Sequence, residues 1–200
     1  MTALVVNGIE GAGHRGRARR LLLDDGERLV SPDVVKELDI TIGVHVDVHA
    51  LEAAEERLAK QRALRILAAR ERSRSDVHER LTAQGYPSEV AQRVCDRFEE
   101  LSLIDDDRFA RAVTRSRSLG GYGPRRILDE LKRHGIDDAV AQVALSEEAA
   151  DSSAEIVALV QRFSPSSPAE RERVLRRLVR RGFSFREVLA ALESFEQDPR

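Results

Sequence analysis

The sequence predicts a mainly α-helical protein: three tandem three-helix repeats forming an elongated curved array, preceded by a small β-containing N-terminal cap. Three observations carry this expectation. The trio Leu81, Gly85 and Tyr86 returns as Leu131, Gly135 and Ile136 and again as Leu178, Gly182 and Phe183, with the glycines 50 and 47 residues apart. Self-similarity at such a period marks a repeat architecture. From about Val48 to Arg70 the chain is Ala, Leu, Glu and Arg without Gly or Pro, which reads as a long helix. The first fifty residues differ in texture and carry the Leu- and Val-rich runs of short strands.

In chain order, Ala3 to Ile9 and Arg19 to Val30 are the strand candidates, and Asp25-Gly26 between the leucine run and Leu29-Val30 signals a hairpin. Ser31 and Pro32 supply an N-cap and a first-turn proline for a short helix carrying Val34, Val35 and Leu38, broken by Gly43. The long helix offers Leu64, Leu67 and Ala68 as its apolar stripe. Each Leu-Gly-hydrophobe trio fits a helix stopped by a left-handed glycine, with the next side chain folding back on the last turn.

Ser88, Asp137 and Ser184 are then N-cap types for the third helices. In the first repeat that helix shows Val90, Val94, Phe98 and Leu101 at helical spacing, with Cys95 on the same core face. Phe109, Ala110 and Val113, and Ile156, Leu159, Val160 and Phe163, mark the first helices of the other repeats. Gly123-Pro124 opens a second helix, as does Ser167-Pro168 with Glu170 completing a capping box. The expected division is a cap over 1–50 and repeats over 51–104, 105–150 and 151–200, with Asp151 at the last junction and the Ser164 to Pro168 stretch inside the third unit. A unit of about fifty residues buries too little to be very stable alone, so neighbours are expected to stack.

The chain has 200 residues, 33 Lys+Arg against 35 Asp+Glu, and a formal net charge of −2, which excludes a polycationic tail protein. At 42% hydrophobic it can bury a sizeable core, but 4% aromatics with no Trp argue against a base-stacking platform. Cys95 is the single cysteine, so neither an intrachain disulfide nor a thiol metal cluster is available, and a reducing, cytoplasmic setting is expected. The N-terminus lacks a signal-peptide pattern, and no run approaches the ~18 apolar residues of a membrane span.

Three motifs invite chemistry and are better read as structure. Gly11, Gly13 and Gly16 spell G-x-G-x-x-G, but a hairpin rather than a helix is expected after them. His45 and His49 stand four apart at the end of a strand or loop without a third ligand. Asp105, Asp106 and Asp107 precede Phe109 as acids at a helix N-terminus. No catalytic constellation, cofactor site or metal site is expected.

Charge position says more than charge number. No acid lies between Asp107 and Asp129, while Arg108, Arg111, Arg115, Arg117, Arg125 and Arg126 fall there. Arg108, Arg111 and Arg115 share one helical face, away from Phe109 and Val113. A second cluster is Arg176, Arg177, Arg180 and Arg181. For either cluster the plain alternative is a solvated charged face.

At these residues the chain resembles the RecX family of bacterial recombination regulators. The likeness begins near Ala63 and runs through Leu64, Leu67, Ala68, Arg70, Arg72, Ser73, Leu81 and Gly85. It continues with Leu103, Ile104, Asp105, Asp106, Phe109 and Ala110, then Gly121, Tyr122, Gly123, Pro124, Ile127, Leu131, Gly135 and Ile136. The third repeat agrees in pattern through Leu178, Gly182 and Phe183, and residues before about Glu52 lie outside the family's repeat core.

The resemblance implies a non-enzymatic modulator that lies in the groove of the RecA recombinase filament, inhibits strand exchange and ATP hydrolysis, and thereby bears on DNA repair and the SOS response. It makes the ten clustered arginines candidates for contact with RecA or with DNA phosphates, inside the filament and weakly on free DNA, by a monomeric protein with no membrane association. A direct DNA-binding helical module acting without RecA, and an adaptor with no DNA contact, remain as alternatives.

Overall fold

The computed structural model describes residues 3–13, 17–148 and 152–197. Among them ten helices and four strands fall into two compact units, Met1–Asp105 and Asp106–Arg200.

In the first unit β1 (Ala3–Ala12), β2 (Ala18–Leu23), β3 (Gly26–Val30) and β4 (His45–Asp47) form one antiparallel sheet in the order β3-β2-β1-β4. Gly11 pairs with Arg19 and Ala12 with Ala18, so the glycine motif closes a hairpin and opens no helix. His14, Arg15 and Gly16 lie outside the described residues, as does Asp151 at the expected last junction. The second hairpin turns at Asp24-Asp25, one residue earlier than the Asp25-Gly26 signal suggests. Gly26, at φ +144°, instead pairs with Leu23 as the first residue of β3. His45 lies in β4 and His49 in the first turn of the following helix, both exposed.

Four helices complete this unit: α1 (Pro32–Glu37), α2 (Val48–Ala69), α3 (Arg74–Thr82) and α4 (Ser88–Glu100). Ser31 caps α1 through its side chain, with Pro32 in the first turn. Val6, Leu21, Val30 and Val46 of the sheet join Val34, Leu51, Ala59, Ala63, Leu81, Val94 and Phe98 in one continuous core. The N-terminal strands therefore share their hydrophobic interior with the first repeat.

Three local features differ from the expectation. The buried face of α2 is Leu51, Ala54, Glu55, Ala59 and Ala63, while Leu64 and Ala68 face outward. Small alanines let α2 approach its neighbours closely, so the contact seam follows them rather than the larger leucines. Leu101 is the C-cap of α4 and half exposed; Ile104 fills the core instead. Pro87, not Ser88, stands at the N-cap of α4, and the Ser88 hydroxyl lies 3.2 Å from His78 Nε2. The fixed φ of proline starts the helix one residue sooner.

The second unit holds α5 (Asp106–Leu119), α6 (Pro124–Arg133) and α7 (Asp138–Glu148), then α8 (Ser152–Phe163), α9 (Pro168–Arg180) and α10 (Phe185–Gln197). Each trio has its own core, around Phe109, Ile127, Leu131 and Ile136 in one and Ile156, Leu178, Phe183 and Val188 in the other. Asp137 caps α7 by accepting from the Ala139 amide at 2.8 Å. Ser167 caps α9 while the Glu170 carboxylate accepts from Ser166.

The repeated turn has the same geometry three times. Gly85, Gly135 and Gly182 take φ of +88°, +71° and +97°. The amides of Tyr86, Ile136 and Phe183 reach back to the carbonyls of Leu81, Leu131 and Leu178 at 3.3, 3.1 and 3.2 Å. This is the six-to-one closure of a helix by a left-handed residue, and the hydrophobe that follows is buried each time. Two of these turns also dock on the start of another helix. A Cβ on Gly85 would lie 2.5 Å from the Val30 carbonyl oxygen, just before Ser31-Pro32, and one on Gly182 would lie 2.4 Å from the Arg126 amide, just after Gly123-Pro124.

Candidate functional site

The clustered arginines occupy three settings in the second unit. On α5, Phe109, Ala110 and Thr114 are buried and the acids Asp106 and Asp107 sit in the first turn, where the helix dipole favours them. Arg108 is exposed on this helix. Arg111 donates from Nε to Glu147 at 2.7 Å, and Arg115 grips both carboxylate oxygens of Glu148 at 2.8 Å. Arg117 grips Glu130 likewise, at 2.8 and 2.6 Å. The acid-free stretch of sequence is therefore faced in space by carboxylates from α6 and α7. Hydrogen bonds from Arg117 and Arg115 hold the Glu130 and Glu148 carboxyls below the ordinary carboxylate range. The Arg111 and Arg115 pairs lie in solvent, where screening keeps such contacts weak and open to displacement by a competing oxyanion, whereas Glu130 is largely covered and holds Arg117 more firmly.

The second setting is the docking point between α6 and the end of α9. The Gly123 amide donates to the Arg181 carbonyl at 2.8 Å and the Arg125 amide to the Gly182 carbonyl at 3.2 Å. The Arg181 guanidinium donates to the Gly121 carbonyl at 3.4 Å, and the Arg117 and Arg181 guanidinium carbons lie 5.8 and 6.0 Å from the Tyr122 ring centre. Both distances are within cation–π range. Arg125-Arg126 and Arg180-Arg181, more than fifty positions apart in sequence, thus meet at one junction. Arg125, Arg126 and Arg180 are exposed and form no ion pair among the described residues.

The third setting is the outer face of α9. Arg176 pairs with Glu172 at 3.1 Å, and the Arg177 guanidinium stands 4.5 Å from the Phe163 ring centre. Arg173 is also exposed on this face, in i, i+3, i+4, i+7 register with Arg176, Arg177 and Arg180. Adjacency in sequence marks only Arg176, Arg177, Arg180 and Arg181; helical spacing adds Arg173. Val174 and Leu178 point the other way, into the core.

No group of three or more His, Cys, Asp or Glu side chains among the described residues is arranged to hold a metal ion. No helix among them is long and apolar enough to cross a membrane. The surface can therefore offer guanidinium donors to oxyanions and carboxylates to a cationic partner.

Comparison with known proteins places the helical region. Residues 59–98 match the family model for the first three-helix domain of RecX, and residues 105–145 match the second. The regulatory protein RecX of Mycolicibacterium smegmatis is 44% identical over 93 residues, covering 46% of this chain and 50% of that relative. In this alignment the chain spans about half the length of the relative. The regulatory protein RecX of Xanthomonas axonopodis pv. citri is 36% identical over 141 residues, covering 68% of this chain and 87% of the relative. A crystal structure of regulatory protein RecX superposes with a TM-score of 0.63 at 20% identity, covering 96% of this chain and 99% of that one. RecX from Lactobacillus salivarius gives 0.63 at 22% identity, over 72% and 99%. At these identities the two structures speak for the fold alone.

Proposed function

The chain belongs to the RecX family, and from that premise we propose that it is a non-enzymatic regulator that binds the RecA filament on DNA and inhibits its strand exchange and ATP hydrolysis. The observation that carries the reading is the match to both RecX three-helix domains, in order. The surface supports it: Arg125, Arg126 and Arg180 are exposed at the α6–α9 junction, and Arg173, Arg176 and Arg177 are exposed along the same helix α9. The latched Arg111, Arg115 and Arg117 are secondary contacts that engage once their carboxylates are displaced, and Arg108 and Arg181 are further contact candidates. With a formal charge of −2 the whole protein has little general attraction for free DNA, which favours a composite partner of protein and phosphate over naked duplex. The protein acts as a monomer, without a cofactor, in the cytoplasm, within DNA repair and the SOS response.

Titration of RecA-dependent ATP hydrolysis with the full chain tests this. Stoichiometric inhibition is expected, and the triple variant R125E/R126E/R180E is expected to raise the half-inhibitory concentration at least tenfold. Unchanged hydrolysis in the presence of the parent chain sinks the proposal. The alternative of a direct DNA-binding module predicts tight duplex binding without RecA and a steep loss of affinity with salt; weak binding to free duplex speaks against it.

A further inference from the structure

The first unit contains a cationic cleft unrelated to the arginines of the repeats that follow. It measures about 510 Å³ and is lined by Arg17 just before β2, Ser31 and Asp33 at the start of α1, Arg62 of α2, Arg80 of α3, and Gln84 in the turn after it. Three guanidinium groups thus face a single carboxylate. None of the three arginines takes part in an ion pair or hydrogen bond among the described residues, and the Arg62 Nε is buried with no acceptor. The neighbouring Tyr86 hydroxyl is buried beside Ser31 without a hydrogen bond of ordinary geometry. Burial pushes this phenol above its ordinary value, opposed by the nearby Ser31 side chain and reinforced by Asp33, so it stays neutral.

Converging guanidinium groups repel one another, and a buried N–H without an acceptor is costly, so the arrangement is complete only when an oxyanion supplies the acceptors. A carboxylate offers two oxygens; a phosphate offers more, in the tetrahedral spread that donors arriving from three elements require, and planar guanidinium forks pair with it bidentately. A second cleft of about 320 Å³ shares Asp33 and Arg62 and adds Lys36 and Arg65. Its remaining acid, Glu37, is already held by Arg57. The cationic lining therefore extends past a single phosphate.

We propose that this cleft between the N-terminal sheet, α2 and α3 binds linked phosphates, as a diphosphate group or a phosphodiester backbone. The shape of the site is held by Gly85, whose turn packs on the Val30 carbonyl and so fixes Gln84 and the end of α3 against Ser31.

Calorimetric titration of the full chain with inorganic pyrophosphate tests the proposal without RecA, so its failure leaves the filament reading untouched. Saturable binding is expected, weakened at least tenfold in R17A/R80A, whose side chains are exposed and outside the core, and unchanged in R125A/R126A. R62K, which keeps the charge but loses the fork, is expected to bind several-fold more weakly while unfolding at the parent temperature. Displacement of pyrophosphate by a short oligothymidylate assigns the site to a phosphodiester backbone, and failure to displace assigns it to a free diphosphate group. Absence of saturable pyrophosphate binding, or equal affinity in R17A/R80A, overturns the proposal.

Discussion

Glu55 shows how one side chain can set a pH dependence. It is fully buried on α2, with Oε2 accepting from Arg28 of β3 at 2.7 Å and Oε1 without a partner. Burial pushes its carboxyl above the ordinary carboxylate range, and the hydrogen bond from Arg28 only partly offsets this. The folded state thus holds this proton more tightly than the unfolded state does. Its stabilising contribution is present below the ordinary carboxylate value and is lost as pH rises through the raised one. Glutamine cannot ionise, so E55Q is expected to gain stability relative to the parent as pH rises from the ordinary carboxylate range through the raised one, read by urea denaturation; a flat or falling difference counts against this account. Removing Arg28 instead strands the buried carboxylate, and R28A is expected to cost about 3 kcal/mol at neutral pH by the same measurement.

Among the elements, the turn after a helix is the unit that recurs, and its glycine serves two purposes. At Gly182 a left-handed φ ends α9, while the missing Cβ admits the backbone of Arg126. An alanine there pays about 1–2 kcal/mol for the conformation and more for displacing the start of α6. G182A is expected to lose at least about 2 kcal/mol, and the Arg125 amide, which donates to the Gly182 carbonyl, is expected to lose its protection from hydrogen exchange. Protection retained at Arg125 would show that the turn does not hold the junction. The left-handed glycines were legible in the sequence because the Leu-Gly-hydrophobe pattern carries its own chemistry. What each turn docks against was not, because close approach of two backbones leaves no mark on either segment alone.

At the scale of the molecule, the N-terminal strands and the first repeat form one cooperative body. A chain beginning at Glu52 loses Val6, Leu21, Val30, Val34, Ile40 and Val46 from the core shared with α2 to α4. Each such loss typically costs on the order of 1 kcal/mol or more, so that truncation is expected to melt the first repeat. A chain of residues 106–200 keeps both of its cores intact and is expected to retain a helical circular-dichroism spectrum with cooperative melting. A 106–200 chain without a melting transition would show that the second unit depends on the first.

The sequence by itself determined the helices, most of their caps, the threefold repeat and the family, because periodicity, turn chemistry and motif order are properties of neighbouring residues. It also marked the arginine-rich segments. Tertiary structure alone decided which of those charges are free. Glu130, Glu147 and Glu148 fold back to neutralise Arg117, Arg111 and Arg115, whereas Arg125 and Arg126 come beside Arg180 and Arg181. The same holds for Arg17, Arg62 and Arg80, scattered over more than sixty positions and gathered in one cleft. Coulomb energy depends on distance through space, and separation along a folded chain does not report that distance.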